Sequence, residues 1–408
     1  MQKERFKNSG TFPGSPKWEK SIERYGSLYK RKDDVRSEFW RDYNRILHCK
    51  AYRRLKHKTQ VFFATTNDHI CTRIEHVSHV ASVSETISDY LGLNTELTRA
   101  IAIGHDLGHA PFGHKGEVVL NKIAKNEINK TFWHEKNSLW FIDKIETLQN
   151  QYGRKENLSL TYAVRDGIIS HCGEVNENSI FPRDEAIDLY DIDHPNQYSP
   201  YTWEGCVVKI ADKISYLGRD IEDAITLKIL SRSQLKELKV ISEKIKTSHI
   251  REINNTVLMH DFIINLCQMS SPEEGIRFSD DYLQLINSIK SFNYRHIYNH
   301  ERLVHFHKYA ELIITSIFNV LANLYTKEKT LKEVKKLQNT YPLLSDSFYD
   351  WLITYSESDF GQRQLYRIDN EVIYNLNDYN DYLMSIIHYL SSMTDSFIIR
   401  LFNELTKF

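Results

Sequence analysis

Paired cysteines are scarce in this 408-residue sequence. Its five cysteines are Cys49, Cys71, Cys172, Cys206 and Cys267, and no two of them form a C-x-x-C pair. An odd number of widely spaced cysteines excludes a zinc ribbon and argues against a disulfide framework. We therefore expect reduced thiols and a cytoplasmic protein.

Net charge and long apolar runs are equally scarce. The formal net charge is −1 at pH 7, which argues against a broad basic surface for nucleic acid. Any anion must then be held by a local cluster of basic residues, such as the one from Arg53 to Lys58. No apolar run is long enough to span a bilayer, and the first residues lack the apolar centre of a signal peptide. We expect no membrane association.

The remaining composition is that of a globular protein with a sizeable core, since 41% of residues are hydrophobic and 12% aromatic. The length allows one large unit or two fused units. The sequence patterns divide the chain into an irregular N-terminal arm (1–32), a catalytic core (33–230) and a helical C-terminal region packed on the core (231–408). Within the core, the stretch from Val175 to Pro200 predicts a loop, either a lid or a subunit contact.

Histidines are concentrated in the first third of the chain, with nine of the 18 between His48 and His134. The densest stretch, from Arg99 to Glu117, reads R-A-I-A-I-G-H-D-L-G-H-A-P-F-G-H-K-G-E. Here an apolar run leads into His105 and Asp106, which would offer one imidazole nitrogen and one carboxylate to a single point. A mixed nitrogen and oxygen metal site has this donor chemistry, and it needs further ligands from elsewhere.

Two other stretches can supply those ligands. Apolar residues at helical spacing put His76 on the inward stripe of an amphipathic helix. Downstream, Asp212, Tyr216 and Asp220 follow each other at i, i+4 and i+8, so they share one stripe of another predicted helix. Helical periodicity around every candidate ligand predicts an all-α fold. The alternative for each residue taken singly is that it caps a helix or satisfies a buried polar group.

These motifs resemble those of one enzyme superfamily. The order His, then His-Asp, then a distant Asp resembles the HD-domain metal-dependent phosphohydrolases. The longer string H-D-L-G-H-A-P-F-G-H-K-G-E resembles the deoxynucleoside triphosphate triphosphohydrolases, the dGTPase branch, as do K-T-Q-V-F upstream and M-T-D near the end. Ser392 stands where that branch usually has glycine. The resemblance covers most of Asp33 to Leu405 and implies an HD-domain helical core with additional C-terminal helices.

The resemblance also implies a metal centre with His76, His105, Asp106 and Asp212 as ligands. They would hold one divalent metal per site. Because the set contains no thiolate, Mn²⁺, Mg²⁺, Fe²⁺ or Co²⁺ suits it better than a structural zinc. Positions would stay open for water and a phosphate oxygen.

A second set of residues would supply acid-base chemistry. His114 and Glu117 lie three residues apart, so on a helical turn the carboxylate can hydrogen-bond the imidazole and raise its pKa. The alternative is a surface ion pair. By resemblance, His114 is a catalytic histidine, Glu117 its supporting acid and His134 a histidine at the phosphate end of the site, with His109 just outside this set. Which histidine protonates the leaving group is left open.

Contacts to the phosphates would come from the ligand-bearing helices. Arg73 precedes the first ligand by three positions, and Lys213 and Tyr216 follow the last ligand closely. All three can therefore face a polyphosphate at the metal, where charge-assisted hydrogen bonds are strong. The alternative is that they are ordinary solvated residues.

Contacts to the sugar follow from the resemblance alone. Gln60 and Asp220 match positions that meet the 3′-hydroxyl. Tyr298 is a candidate for an aromatic side chain under the deoxyribose that would exclude a 2′-hydroxyl. An aromatic in a helical core is the alternative for Tyr298.

The function predicted from these motifs is hydrolysis of deoxynucleoside triphosphates, dGTP foremost, to deoxynucleoside and tripolyphosphate, with water activated by the metal attacking the α-phosphorus. The predicted partners are a second copy of the chain (dimer, tetramer or hexamer) and a single-stranded DNA or nucleotide effector. One rival is another HD phosphohydrolase, such as a nucleotide monophosphatase or a cyclic-dinucleotide phosphodiesterase. A rival of another class is a nucleic-acid-binding regulator with a vestigial site. The complete ligand set and the neutral net charge count against that regulator.

Overall fold

The computed structural model describes residues 3–29, 32–62, 67–172, 179–243, 254–357 and 360–407. Helices dominate these ranges and the strands are short, which confirms the predicted all-α class. In chain order the α-helices are α1 (Trp18–Ile22), α2 (Glu38–His48), α3 (Lys50–Arg54), α4 (Arg73–Leu91), α5 (Thr95–Gly104), α6 (Gly113–Ile128), α7 (His134–Trp140), α8 (Tyr162–Ser170), α9 (Trp203–Thr226), α10 (Arg232–Glu243), α11 (Asn255–Met269), α12 (Asp280–Asn293), α13 (Glu301–Ala322), α14 (Thr330–Lys336), α15 (Pro342–Tyr355), α16 (Phe360–Leu365), α17 (Tyr379–Ser391) and α18 (Asp395–Thr406).

Short irregular elements complete the described chain. The strands are β1 (Thr147–Gln149), β2 (Lys155–Asn157), β3 (Ser179–Ile180) and β4 (Ile276–Arg277), and β1 pairs with β2 and β3 with β4, both antiparallel. Turns of 3₁₀-helix lie at Leu55–His57, Leu189–Asp191, Lys327–Lys329 and Leu337–Asn339, and π-helical turns at Phe141–Ile145 and Tyr294–Tyr298. Among the described helices, none has the length and apolarity needed to cross a membrane.

The helices that carry the histidine motifs have well-defined ends. α4 begins with a capping box, in which the backbone N–H of Thr72 donates to Glu75 Oε2 at 2.8 Å. α5 begins after Asn94, whose side-chain oxygen accepts from two backbone N–H groups of the first turn. These caps fix where each helix starts and therefore which residues face inward.

Two compact units make up the chain, each from non-consecutive segments. The first unit contains Met1–Asn44, Thr65–Asp106 and Leu160–Val304. Its centre is α9, against which α4, α5, α8, α11 and α12 pack. α8 approaches α5 closely, because a Cβ on Gly167 would lie 2.5 Å from a methyl carbon of Ile101. Glycine is therefore needed at position 167.

The N-terminal segment packs on this first unit. It contains α1, and Phe6 is fully buried. Glu204, in the first turn of α9, accepts hydrogen bonds from Thr11 N and Thr11 Oγ1 and from Asn94 N at 2.8–3.0 Å. The segment predicted as an irregular arm thus includes a helix and is joined to the helix that bears Asp212.

The second unit contains Arg45–Ala64, Leu107–Ser159 and His305–Phe408. Within it α6 packs on α17, and α15 packs on α14, α17 and α18. The β1–β2 hairpin also belongs to this unit, with Leu148 opposite Glu156.

The sequence divides the chain by expected role into an arm (1–32), a catalytic core (33–230) and a C-terminal region (231–408). That division stays a prediction. The predicted loop from Val175 to Pro200 contains β3 and one turn of 3₁₀-helix, and its residues 175–178 lie outside the described residues.

Candidate active site

Four predicted metal ligands of the first unit, which we call the metal cluster, lie together: His76, His105, Asp106 and Asp212. Asp212 Oδ1 is 2.9 Å from His76 Nε2 and 3.6 Å from His105 Nε2. Asp106 Oδ1 is 3.5 Å from His105 Nε2, and Asp106 Oδ2 is 3.9 Å from His76 Nε2. The two histidines and Asp106 are buried, whereas the side chain of Asp212 is 24% exposed. Their role as ligands stays a prediction.

Local structure orients these side chains. His76 lies in the first turn of α4, and Asp212 lies in the middle of α9. His105 is the C-cap residue of α5, and its Nδ1 is 2.6 Å from the carbonyl oxygen of Ala102. An N–H on Nδ1 that donates to this carbonyl leaves the lone pair of Nε2 directed toward the carboxylates, which is the tautomer that binds a metal.

The chemistry of this donor set fits a divalent metal. Ligand atoms of His76, His105 and Asp212 all lie within 4.8 Å of one another. Although burial alone raises it, hydrogen bonds with His105 and His76 hold the pKa of Asp212 well below its usual range. Burial lowers the pKa of His105, but the neighbouring carboxylates outweigh burial and raise it to about 9. The two carboxylates thus favour positive charge beside them, and a divalent cation could take the place of the proton on His105.

Arg73 extends the metal cluster. Its side chain is 1% exposed, and Nη1 donates to Asp106 Oδ2 at 2.6 Å. Its Nε and Nη2 make no hydrogen bond to any residue that the structure describes. The alternative that Arg73 is a solvated residue is wrong, and two of its N–H groups could bind an anion.

Three further predicted substrate residues lie on α9 with Asp212. Lys213 and Asp220 are buried, and Tyr216 is half-buried. Asp220 Oδ2 accepts a hydrogen bond from the hydroxyl of Tyr298 at 2.5 Å. Burial raises the pKa of Asp220 to about 7, and burial together with Asp220 holds the pKa of Tyr298 well above its usual range. Tyr298 is thus paired with the residue predicted to meet the sugar.

Predicted acid-base residues of the second unit form a separate group, the histidine cluster: His109, His114, Glu117 and His134. Glu117 Oε2 is 3.0 Å from His134 Nδ1 and 3.4 Å from His114 Nδ1. The backbone N–H of His134 also donates to Glu117 Oε1, at 3.2 Å. The rings of His109 and His134 stack with centroids 3.8 Å apart.

Glu117 holds His134 more closely than its predicted partner His114. Although burial alone raises it, the charge of His134 and the hydrogen bond of His114 hold the pKa of Glu117 well below its usual range. The side chain of His134 is only 10% exposed, whereas that of His114 is 66% exposed. The alternative of a surface ion pair therefore stays open for His114.

Comparison with known proteins places the chain among relatives. The family model described as "HD domain" matches residues 73–217. A deoxyguanosinetriphosphate triphosphohydrolase-like protein of Caldanaerobacter subterraneus is 34% identical over 348 residues, which cover 81% of this chain and 90% of the relative. A protein of the same name from Rickettsia felis is 30% identical over 402 residues, which cover 93% and 94% of the two chains.

The chain belongs to this family of deoxyguanosinetriphosphate triphosphohydrolase-like proteins. Its HD-domain match begins at the first residue of α4 and ends within α9. That range includes every member of the metal cluster and of the histidine cluster.

The glycine of the H-D-L-G-H string allows a close backbone approach. A Cβ on Gly108 would lie 2.1 Å from the backbone nitrogen of Ser138. Gly108 N donates to Ser138 Oγ at 2.9 Å, and Asn137 Nδ2 donates to Gly108 O at 2.6 Å. These bonds tie the loop before α6 to α7, which begins at His134.

Asp395, in the M-T-D string, holds the same loop and was not predicted as a site residue. It accepts from the backbone N–H of Phe112 at 2.9 Å and from that of Thr59 at 3.1 Å. Phe112 has φ of 65°, in the left-handed region, and precedes α6. Asp395 therefore supports a strained turn just before His114.

The sequence predicts an anion-binding cluster of basic residues from Arg53 to Lys58, and this prediction is wrong for Lys58. Lys58 is buried, and its ammonium donates to the carbonyl oxygens of His109 and Ser391. Gln60, two residues further on, is half-buried, and its Oε1 has no hydrogen-bond partner within the described part of the chain. That oxygen could accept from a ligand hydroxyl.

Proposed function

We propose that this protein is a metal-dependent hydrolase of deoxynucleoside triphosphates, dGTP foremost, that releases deoxynucleoside and intact tripolyphosphate. The observation that carries the proposal is the metal cluster with Arg73 beside it, because two imidazoles, two carboxylates and a buried guanidinium suit a cation and a phosphate together. The name shared by the relatives supports the choice of a guanine deoxynucleotide. One divalent metal, Mn²⁺, Mg²⁺, Fe²⁺ or Co²⁺, would be bound per site.

A divalent metal held by His76, His105, Asp106 and Asp212 would supply a Lewis acid that neutralises phosphate charge and activates water. Arg73 orients Asp106 through their hydrogen bond and offers its Nε and Nη2 to the α-phosphate. Lys213 and Tyr216 follow Asp212 on α9 and would bind the outer phosphates. With the outer phosphates bound in this way, the 5′-oxygen is the leaving atom.

We assign protonation of the leaving 5′-oxygen to His134 before His114. His134 Nδ1 faces Glu117, so Nε2 is the nitrogen that would carry the transferred proton. Because the backbone N–H of His134 also bonds to Glu117, the ring is held in one orientation. General acid catalysis depends on such orientation as well as on pKa.

The sugar would be recognised by hydrogen-bonding groups. Asp220 and Gln60 are proposed to bind the 3′-hydroxyl, and Tyr298, fixed by Asp220, to lie against the deoxyribose. A homo-oligomer, a nucleotide or single-stranded DNA effector and a cytoplasmic location complete the proposal. Light scattering at several protein concentrations, with and without dGTP, tests the first two.

The direct test of the reaction is product analysis. Purified protein is incubated with each of the four deoxynucleoside triphosphates and Mn²⁺ or Mg²⁺, and the products are separated by anion exchange. Deoxynucleoside and tripolyphosphate in equal amounts would support the proposal. Deoxynucleoside monophosphate with pyrophosphate, or diphosphate with phosphate, would overturn it and favour another HD phosphohydrolase activity. An Asp212→Asn variant controls for contaminating phosphatases.

A further inference from the structure

A π-helical turn of the first unit carries Tyr298 to its place beside Asp220. α12 passes without a break into this π turn (Tyr294–Tyr298), and Tyr298 is its last residue. The Tyr298 hydroxyl donates to Asp220 Oδ2 at 2.5 Å, which fixes the end of the turn to α9. π-helical turns are rare and occur often at functional sites. Because such backbone is rare, we expect further side-chain contacts to hold this turn in place.

Two side chains of α10 hold the π turn at a second point. His296 Nδ1 is 3.0 Å from Gln234 Nε2, and His296 Nε2 is 3.0 Å from Glu237 Oε2. Arg295 Nη2 also donates to Glu237 Oε1, at 2.8 Å. α10 packs on α12 as well, so the helix and the turn that follows it are held together. We call Gln234, Glu237 and His296 the α10 clamp.

The hydrogen bonds of the α10 clamp have a defined direction. Gln234 Oε1 accepts from Ser231 N at 2.7 Å and from Ser231 Oγ at 2.9 Å, so the amide oxygen faces Ser231 and the amide nitrogen faces His296. An amide nitrogen only donates, so His296 Nδ1 accepts and the proton of the neutral ring lies on Nε2. That N–H then donates to Glu237. Both ring nitrogens are thus used, and the imidazole has one orientation.

The ring of His296 also joins the core of the first unit. Its side chain is only 19% exposed and meets the fully buried ring of Phe292 edge-on, with centroids 4.8 Å apart. Tyr298 lies two residues further along the π turn, and its ring meets that of Tyr294 edge-on at 5.2 Å. The π turn is therefore held by α10 through His296 and by α9 through the Tyr298 hydroxyl.

We propose that Gln234, Glu237 and His296 are positioning residues for Tyr298, and that the α10 clamp sets how strictly the sugar site rejects a 2′-hydroxyl. This inference rests on the proposed function, in which Tyr298 lies against the deoxyribose. An aromatic ring excludes a hydroxyl group only where it lies in contact with the sugar, so a shift of the π turn would open space for ribose. The residues of the α10 clamp act through Tyr298, and none is assigned a contact with substrate.

Discrimination between dGTP and GTP tests the α10 clamp. The full chain is given both nucleotides in one mixture, and the ratio of their kcat/KM values is taken from the nucleosides released. A variant that is merely less stable keeps this ratio, because both nucleotides meet the same folded molecules. His296→Leu and Glu237→Leu are expected to lower the preference for dGTP roughly 10-fold by raising hydrolysis of GTP, since small misplacements in a site change rates by up to about 10²-fold.

Two further variants serve as controls. Glu237→Gln still offers an oxygen to the N–H of His296, and Lys236→Leu lies at an exposed position of α10. Both should keep the wild-type ratio. An unchanged ratio in the two leucine variants of the α10 clamp, or an equal fall in Lys236→Leu, would overturn the proposal.

Fluorine NMR gives a second measurement that uses no nucleotide. In protein labelled with fluorotyrosine, the Tyr298 signal is the one that Tyr298→Phe removes. His296→Leu is expected to shift or broaden this signal, whereas Lys236→Leu should leave it unchanged. A Tyr298 signal that is identical in the wild type and in His296→Leu would overturn the proposal. A wild-type protein that hydrolyses no deoxynucleotide, but whose Tyr298 signal responds to His296→Leu, would contradict the proposed function and leave the positioning of Tyr298 standing.

Discussion

The metal cluster and the histidine cluster are built in contrasting ways. The metal cluster draws on α4, on the end of α5 and on α9, so that Asp106 and Asp212 are more than a hundred residues apart in sequence, and only Asp212 has an appreciably exposed side chain. The histidine cluster comes from one stretch, His109 to His134, and one of its members is mostly exposed. Carboxylates and imidazoles alternate in the first, whereas a single carboxylate serves two imidazoles in the second. The first suits a fixed cation, and the second suits transfer of a proton.

The largest expected effect comes from removing a carboxylate of the metal cluster. Asp212→Asn should lower turnover by roughly 10³-fold or more, since a metal stabilises the transition state by several kcal/mol. It should also lower the bound metal measured by plasma mass spectrometry. Circular dichroism checks that the helices persist. A variant that kept its metal and its turnover would remove Asp212 from the site.

Variants of the histidine cluster should lose turnover without losing metal. His134→Ala is expected to lower turnover by roughly 10²-fold or more while metal content stays at the wild-type level, which is the usual scale for a general acid. His114→Ala should also keep the metal, with a smaller loss, because Glu117 holds His114 less closely. Equal metal content in both variants, with the larger loss at His114, would reverse the assignment of the acid.

Much of this contrast could be predicted from local sequence. Periodicity puts His76 inward and puts Asp212 and Asp220 on one stripe, and the cap at Asn94 gives the start of α5. The contacts that decide roles come from tertiary packing. Glu117 meets His134 because the start of α7 turns back toward α6, and no spacing rule covers a pair 17 residues apart.

Buried charged residues were the least predictable. The sequence predicts a phosphate contact for Arg73, with a solvated residue as the alternative, and a place in an anion-binding cluster for Lys58, because it does not show which acceptors the fold brings to them. In the folded chain Arg73 donates a hydrogen bond to Asp106, and Lys58 donates to two backbone carbonyl oxygens. Asp395 is separated by 336 residues from Thr59, whose N–H it accepts. Only the folded chain shows that the K-T-Q-V-F string and the M-T-D string are joined by a hydrogen bond.

A moderate loss of stability is expected when Asp395 is changed, because Asp395 holds the turn that precedes His114 of the histidine cluster. Asp395→Asn should destabilise the protein by about 1–3 kcal/mol, because an amide N–H₂ would face backbone donors. Thermal unfolding measures the loss. Asp346→Asn, at a more exposed site of the same unit, is the matched control, and equal melting temperatures for the two variants would contradict the role given to Asp395.

The last expected effect concerns the pH dependence of stability in the first unit. The pKa of Asp220 is raised to about 7 in the folded protein, above the value of about 4 expected for an unfolded chain. The folded state therefore binds this proton more tightly, and the stability that it contributes is lost as pH rises from about 4 through 7. Asp220→Asn should flatten the fall of melting temperature across this range. An unchanged slope would show that Asp220 ionises normally.

Attack by water at the α-phosphorus is the central claim, and isotope transfer tests it most directly. Hydrolysis of dGTP in H₂¹⁸O should put one ¹⁸O into the tripolyphosphate and none into deoxyguanosine, because the bond from phosphorus to the 5′-oxygen breaks and that oxygen stays on the sugar. Mass spectrometry of both products gives the result. Label in deoxyguanosine, or in a nucleoside monophosphate, would contradict the mechanism.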